Sequence, residues 1–207
     1  MITLYSGTPG SGKSLHLAKT ILQSLTEKNQ NIIANFPINE DVVNEKRKKR
    51  KNRKNKNLTT FTYEDEITIE FLIDYAKENH VPGKEAQTII IFDECQNQFN
   101  PRDYNRKDRK SWIKFFTQHR KLGYDVILTT QFDRLIDRQI RSLIEYEVRH
   151  RKVNNFKMGK YLPFSAFVCV NYWYVIKEKQ EATFFTYKKE LGDLYDSYRM
   201  FDIDFSY

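Results

Sequence analysis

The segment Gly7-Thr8-Pro9-Gly10-Ser11-Gly12-Lys13-Ser14 constrains this chain more than any other. A glycine followed, after four residues, by Gly-Lys-Ser is the spacing of a loop whose backbone N–H groups wrap a phosphate. Such a loop works only between a buried strand and the start of a helix. Both flanks fit. Ile2 to Tyr5 is a short apolar run, and after Ser14 the residues Leu15, Ala18, Ile21, Leu22 and Leu25 recur at intervals of three and four, one face of a helix. All of Gly7 to Ser14 is therefore expected to bind nucleotide. The glycines let the backbone turn inward, Lys13 reaches the β- and γ-phosphates, and the Ser14 hydroxyl ligates Mg²⁺. ATP and Mg²⁺ are the cofactors this implies.

The remaining pattern predicts the fold class: α/β, a P-loop NTPase fold with a mainly parallel sheet flanked by helices, and a small antiparallel extension toward the C-terminus. Asn31 to Pro37 and Leu58 to Tyr63 read as strands, Ile67 to Tyr75 as a helix, and Thr88 to Phe92 (TIIIF) as a strand buried on both faces. Trp112, Phe115, Phe116 and His119 suggest a further helix that Gly123 ends, and Val126 to Thr130 (VILTT) a second buried strand. From Glu145 to Arg151 charged residues alternate with Tyr146, Val148 and His150, which predicts a strand with one wet face. Phe167 to Ile176 and Ala182 to Tyr187 read as a hairpin around KEKQE, so 143–190 is assigned to the antiparallel extension of a single domain spanning 1–207.

In a parallel sheet the carboxyl ends of neighbouring strands share one side, so acids there face the phosphates. Asp93 and Glu94 follow TIIIF directly: Asp93 is the expected Mg²⁺ partner and Glu94 the base that polarises the attacking water. The competing reading is an acidic cap on the next turn. Gln131 ends VILTTQ and is positioned to contact both γ-phosphate and water; NIIANF is taken as the extra strand between the phosphate motifs that this role accompanies. Arg120, Arg138, Arg141 and Arg149 are candidates for the arginine that phosphoryl transfer commonly needs. His119 reads as a helix-face residue rather than a ligand, and the two cysteines, Cys95 and Cys169, as buried small hydrophobes outside any metal pattern.

Charge adds one constraint. The formal net charge is +8, yet Lys46 to Asn57 alone holds nine basic residues and no acid, leaving the rest near neutral. The tract reads as a flexible insert between strands, suited to DNA phosphates or anionic lipid headgroups if it binds anything. No run approaches the ~18 consecutive apolar residues of a membrane helix, and no signal-peptide zones open the chain, which points to the cytoplasm.

With those residues placed, the chain resembles the Zot-like family of filamentous phage assembly ATPases, within the FtsK–HerA group of P-loop motors. The resemblance is carried by GTPGSGKSLHLAK from Gly7, IIANFPI from Ile32, FDECQNQF from Phe92, and HRKLGYDVILTTQ from His119 followed by IDRQIR from Ile136. It implies a Mg²⁺-dependent, ATP-hydrolysing motor for virion assembly and export, peripheral at the inner face of the membrane. As partners it implies a homo-oligomeric ring, a hexamer being one form, and phage assembly or membrane proteins. By position it assigns the roles given above to Lys13, Ser14, Asp93, Glu94 and Gln131, and makes Arg141 the arginine to test first. Two other functions stay open: a double-stranded DNA translocating or packaging ATPase, suggested by the basic tract, and a nucleotide-gated binding module with little hydrolysis.

Overall fold

The computed structural model describes residues 1–49, 59–103, 105–156 and 159–195. Strands β1 (Ile2–Ser6), β2 (Asn31–Ala34), β3 (Phe61–Tyr63), β4 (Thr88–Phe92), β5 (Tyr124–Thr130), β6 (Tyr146–Lys152), β7 (Ala166–Trp173) and β8 (Glu178–Thr186) form one sheet in the order β3-β2-β4-β5-β1-β6-β7-β8. From β3 to β6 all pairings are parallel, and β6–β7 and β7–β8 are antiparallel.

Helices cover both faces. Helix α1 (Lys13–Gln23) continues into a π-helical turn, Ser24–Lys28, that ends at Asn29 in a left-handed conformation. With α2 (Glu40–Lys49) and α6 (Lys189–Leu194) it lies on the face that buries Tyr5, Ile32, Ile91, Ile127 and Val148. Helices α3 (Ile69–Asn79), α4 (Arg109–Gln118) and α5 (Arg138–Arg141) cover the opposite face over Leu4, Ile90, Phe92, Val126 and Leu128. Local chemistry sets the helix ends: the Thr68 hydroxyl accepts from Phe71 N at 3.2 Å to start α3, and Gly123, at φ 84°, closes the 3₁₀ turn after α4. All five residues of β4 are buried, as expected of a parallel strand covered on both faces.

Four expectations need correcting. The extension is smaller than 143–190: β6 pairs in parallel with β1, so only β7 and β8 are antiparallel additions. The charged face of β6 is wet only in part: Arg151 is exposed and Arg149 partly so, but Glu147 is closed off. Glu147 is 3% exposed whereas Tyr146, in phase with the apolar residues, is 36% exposed, because the Ser6 hydroxyl, Arg149 and Lys177 close over the Glu147 carboxylate. The basic tract is not flexible from its start, for Lys46 to Lys49 form the last turn of α2. That helix has acids in its first turn and bases in its last, the arrangement its dipole favours; residues 50–57 of the tract lie outside the described residues. Finally, the strand that stands between the two phosphate motifs in the sheet is β5, while β2 lies beyond β4.

Candidate functional site

The loop from Gly7 to Ser14 leaves β1 and enters α1 at Gly12. Gly7, Gly10 and Gly12 have φ of 148°, 71° and 96°, a region that side chains rarely adopt, so the loop needs its glycines for conformation. Packing constrains it too: a β-carbon on Gly12 would lie 2.6 Å from the Phe167 ring of β7, and one on Gly7 would lie 2.7 Å from the His150 carbonyl of β6. Around Gly10 nothing lies within 4 Å, which leaves the mouth of the loop open. The Lys13 ammonium donates to the Gly7 carbonyl at 2.6 Å and the Thr8 carbonyl at 3.4 Å, and so bridges the loop. Burial lowers its pKa, while the Glu94 and Asp93 carboxylates pull the other way. Among the described residues the buried Ser11 Oγ has no hydrogen-bond partner and lies close to Gly7, 2.7 Å from where a β-carbon there would sit.

β1, β5 and β4 are successive neighbours, and being parallel they bring Gly7, Gln131 and Asp93-Glu94 to one edge of the sheet. Asp93 is held from several directions. Thr129 Oγ1 donates to its Oδ1, the Tyr195 hydroxyl donates to its Oδ2 at 2.6 Å, and Asn35 bridges its backbone, donating to Asp93 O at 3.0 Å and accepting from Asp93 N at 2.7 Å. Thr129 Oγ1 also accepts from Glu94 N at 3.0 Å, so one β5 hydroxyl ties both acids. Glu94 itself sits at φ 45°, a strained position for a glutamate, and its carboxylate accepts from Gln96. Hard oxygen donors of this kind, the Ser14 hydroxyl and the Asp93 carboxylate, suit Mg²⁺, which typically takes one or two protein ligands beside phosphate oxygens.

Behind the loop runs a histidine pair. His150 Nδ1 lies 3.1 Å from the Ser6 carbonyl and His150 Nε2 lies 2.8 Å from His16 Nδ1. The carbonyl can only accept, so Nδ1 of His150 carries its proton; Nε2 then accepts from His16 Nδ1–H. The relay thus ends on the residue just before Gly7, and Tyr5 stacks on His16 at 4.9 Å. Burial disfavours the charged rings and pushes His16 down to about 3 and His150 to about 4. On the other face of β6 the buried Glu147 accepts from the Ser6 hydroxyl at 2.8 Å and from Arg149 at 2.9 Å.

A cleft of about 460 Å³ beside the loop is lined by Ser6, Gly7, Thr8, Gln131, Asp133, Arg149 and Phe156, among others. Of the four candidate arginines Arg149 is the one on this wall, its guanidinium 4.7 Å from the Tyr172 ring centre. Arg141 is not on this wall and donates to the Asp133 carbonyl at 3.4 Å, and Arg138 is exposed on α5. Arg120 pairs with Glu145, which precedes β6, and so lies at the amino ends of the strands, away from the loop. His119 is buried, near the Phe116 carbonyl and the N-terminal ammonium, and Cys95 and Cys169 are free and buried.

Sequence reasoning missed Thr129, Asn35, His150 and Tyr195. Thr129 and Asn35 sit at strand ends beside the acids and were within reach of that logic; Tyr195 and His150 arrive from distant elements.

Comparison with known proteins agrees with this architecture. The family model described as Zonular occludens toxin (Zot) matches residues 1–200. The Gene 1 protein of Enterobacteria phage M13 is 32% identical over 95 residues, 45% of this chain and 27% of that protein. That of Enterobacteria phage I2-2 is 34% identical over 95 residues, 45% of this chain and 26% of that protein. The match thus spans about a quarter of the length of these curated relatives. Among solved structures, the N-terminal domain of zonular occludens toxin from Neisseria meningitidis superposes with TM-score 0.54 at 20% identity, covering 94% of this chain and 98% of that one. A DnaB-like replicative helicase gives 0.59 at 11% identity over 93% and 57%. The genome packaging NTPase B204 of Sulfolobus turreted icosahedral virus 2, in complex with AMPPCP, gives 0.51 at 13% over 88% and 95%. At these identities the superpositions establish the P-loop NTPase fold.

Proposed function

The chain belongs to the Zonular occludens toxin (Zot) family and is a P-loop NTPase, and from that premise we propose that it is a Mg²⁺-dependent ATP-hydrolysing motor for filamentous phage assembly and export. The observation that carries the reading is the convergence of Lys13, Asp93, Glu94 and Gln131 at the carboxyl ends of three neighbouring parallel strands. A kinase would need a second substrate site, and a GTP switch has no need of a water-polarising carboxylate such as Glu94.

In this reading the loop N–H groups and Lys13 hold the phosphates, and Ser14 with Asp93 holds Mg²⁺, which supplies neutralising charge when bound. Glu94 takes the proton of the attacking water, and Gln131 orients that water against the γ-phosphate. Arg149 faces the same cleft from its own chain, whereas Arg141 completes the site of a neighbouring copy in a ring. The motor works at the inner face of the membrane, docked on phage or membrane proteins; among the described residues no helix is long and apolar enough to cross a membrane. The test is virion output: Glu94→Gln should bind ATP, stop turnover and stop release of particles from infected cells. Particle release by a chain that cannot hydrolyse ATP would refute the motor.

One observation keeps DNA translocation as a second reading. Lys48 and Lys49 are exposed where α2 leads into the rest of the basic tract. Lys46 is occupied, paired with Glu190 at 3.0 Å, and Arg47 donates to the Thr59 carbonyl at 2.6 Å, so a test should spare both. Replacing the basic residues of 48–57 with asparagine should abolish any stimulation of turnover by duplex DNA at low salt. Absence of stimulation in the unaltered chain removes this reading. Nucleotide binding with no turnover at all would leave only the nucleotide-gated binding module.

A further inference from the structure

The Tyr195–Asp93 contact joins residues 102 positions apart, and the element that delivers it has no part in the phosphate chemistry. α6 is fastened to the body of the molecule by several independent contacts. Leu191 and Leu194 are buried against the α1 face, Glu190 pairs with Lys46 of α2, and the Leu194 carbonyl accepts from Asn39 N at 2.9 Å. The Tyr195 ring then packs on Phe36, centres 4.5 Å apart, which aims its hydroxyl at Asp93 Oδ2. Thr129 serves the other carboxylate oxygen from β5. With one donor on each oxygen the carboxylate is restrained in orientation, and each oxygen keeps a lone pair for a further partner. A buried hydroxyl donating to a carboxylate is a strong, charge-assisted bond, so withdrawing Tyr195 would release Asp93 to rotate.

We propose that Tyr195 is a positioning residue for the metal-binding carboxylate and that, through it, the docking of α6 is coupled to binding of the Mg²⁺–nucleotide complex. The proposal rests on Asp93 being the Mg²⁺ partner. Outer-shell donors orient metal-ligating carboxylates, and their loss typically weakens metal affinity about 10–100-fold. Coupling between two equilibria is reciprocal: if a docked Tyr195 favours metal binding, bound metal must favour docking of α6 by the same factor. Helix α6 therefore reads out the nucleotide state.

The full 207-residue chain and its Tyr195→Phe variant, which keeps the ring against Phe36 and removes only the hydroxyl, provide the test. Binding of a fluorescent, non-hydrolysable ATP analogue is titrated with MgCl₂, and amide hydrogen exchange is followed across 189–195. The half-saturating Mg²⁺ concentration is expected to rise about tenfold in the variant, with analogue binding in EDTA unchanged. Exchange across α6 should slow on adding Mg²⁺ and analogue to the unaltered chain, not with analogue in EDTA, and the slowing should vanish in Tyr195→Phe. Unchanged or lower half-saturating Mg²⁺ in the variant, or α6 exchange indifferent to Mg²⁺, overturns the proposal while leaving the ATPase reading intact. A lowered melting temperature without a Mg²⁺ shift marks Tyr195 as merely structural and also overturns it. If the unaltered chain shows no Mg²⁺-dependent binding, the reading of Asp93 fails with it.

Discussion

In β4 every residue from Thr88 to Phe92 is buried, whereas β8, at the edge of the same sheet, has none buried and leaves Phe184 71% exposed. The parallel half and the β7–β8 hairpin also serve the site differently. Strand ends of the parallel half present the groups proposed to do chemistry: Lys13, Asp93, Glu94 and Gln131. β7 contributes packing, with Phe167 behind Gly12, and the chain leaving β8 returns through α6 to deliver Tyr195 to Asp93. β6 belongs to both halves, pairing in parallel with β1 and antiparallel with β7, and its His150 supports the residue before the loop. The difference teaches that the phosphate loop is built by one half and held in shape by the other.

The largest effect should come from the chemical half. Glu94→Gln is expected to lower steady-state ATP turnover about 10²–10⁴-fold while preserving nucleotide binding; turnover near the original rate would move catalysis away from these strand ends. Next comes its core: Ile90→Ala, fully buried in β4, should cost about 2–5 kcal/mol in chemical denaturation. Gly12→Ala probes the contact between halves. Its strained φ and the clash with Phe167 should weaken ATP-analogue binding more than about tenfold, and adding Phe167→Leu should restore only part, because φ stays at 96°. Full restoration would mean that packing alone fixes the loop.

The histidine pair gives a destabilising term that is absent at neutral pH and appears only as the pH falls. Both folded pKa values lie below the ordinary 6.5, so the unfolded chain binds protons first as pH falls. Stability is complete above pH 6.5 and is lost as the pH falls from there through about 4 for His150 and about 3 for His16. Urea melts at pH 7 and pH 5 would measure it, and His150→Asn, whose amide can still donate to Ser6 O, should flatten the slope. Smallest of all is Phe184→Ser on the exposed strand, expected within about 0.5 kcal/mol of the unaltered chain. A large loss there would show that β8 is covered in the folded assembly.

Much of the parallel half was legible in the chain because its signals are local. TIIIF bounds β4 to the residue, since an unbroken β-branched run suits a strand covered on both faces, and the acids that follow inherit their place from the strand. Helix α2 was hidden because it buries Val43 alone and so lacks an apolar stripe. In β6 the alternation was real and Arg151 is exposed as it suggests, but Glu147 is closed off by the Ser6 hydroxyl, Arg149 and, at 3.7 Å, Lys177, so there charge did not mark water.

By itself the sequence determined the phosphate loop, the order of its flanking elements and the placement of Asp93, Glu94 and Gln131 at strand ends, because glycine conformation and strand periodicity are properties of consecutive residues. Tertiary structure alone decided that Thr129 and Tyr195 share Asp93, that His150 supports Ser6, and that Arg149 rather than Arg120 faces the cleft. Those pairings join residues up to 144 positions apart. Only packing of the sheet against its helices brings such groups within hydrogen-bonding range, and no local pattern encodes which distant neighbour will be there.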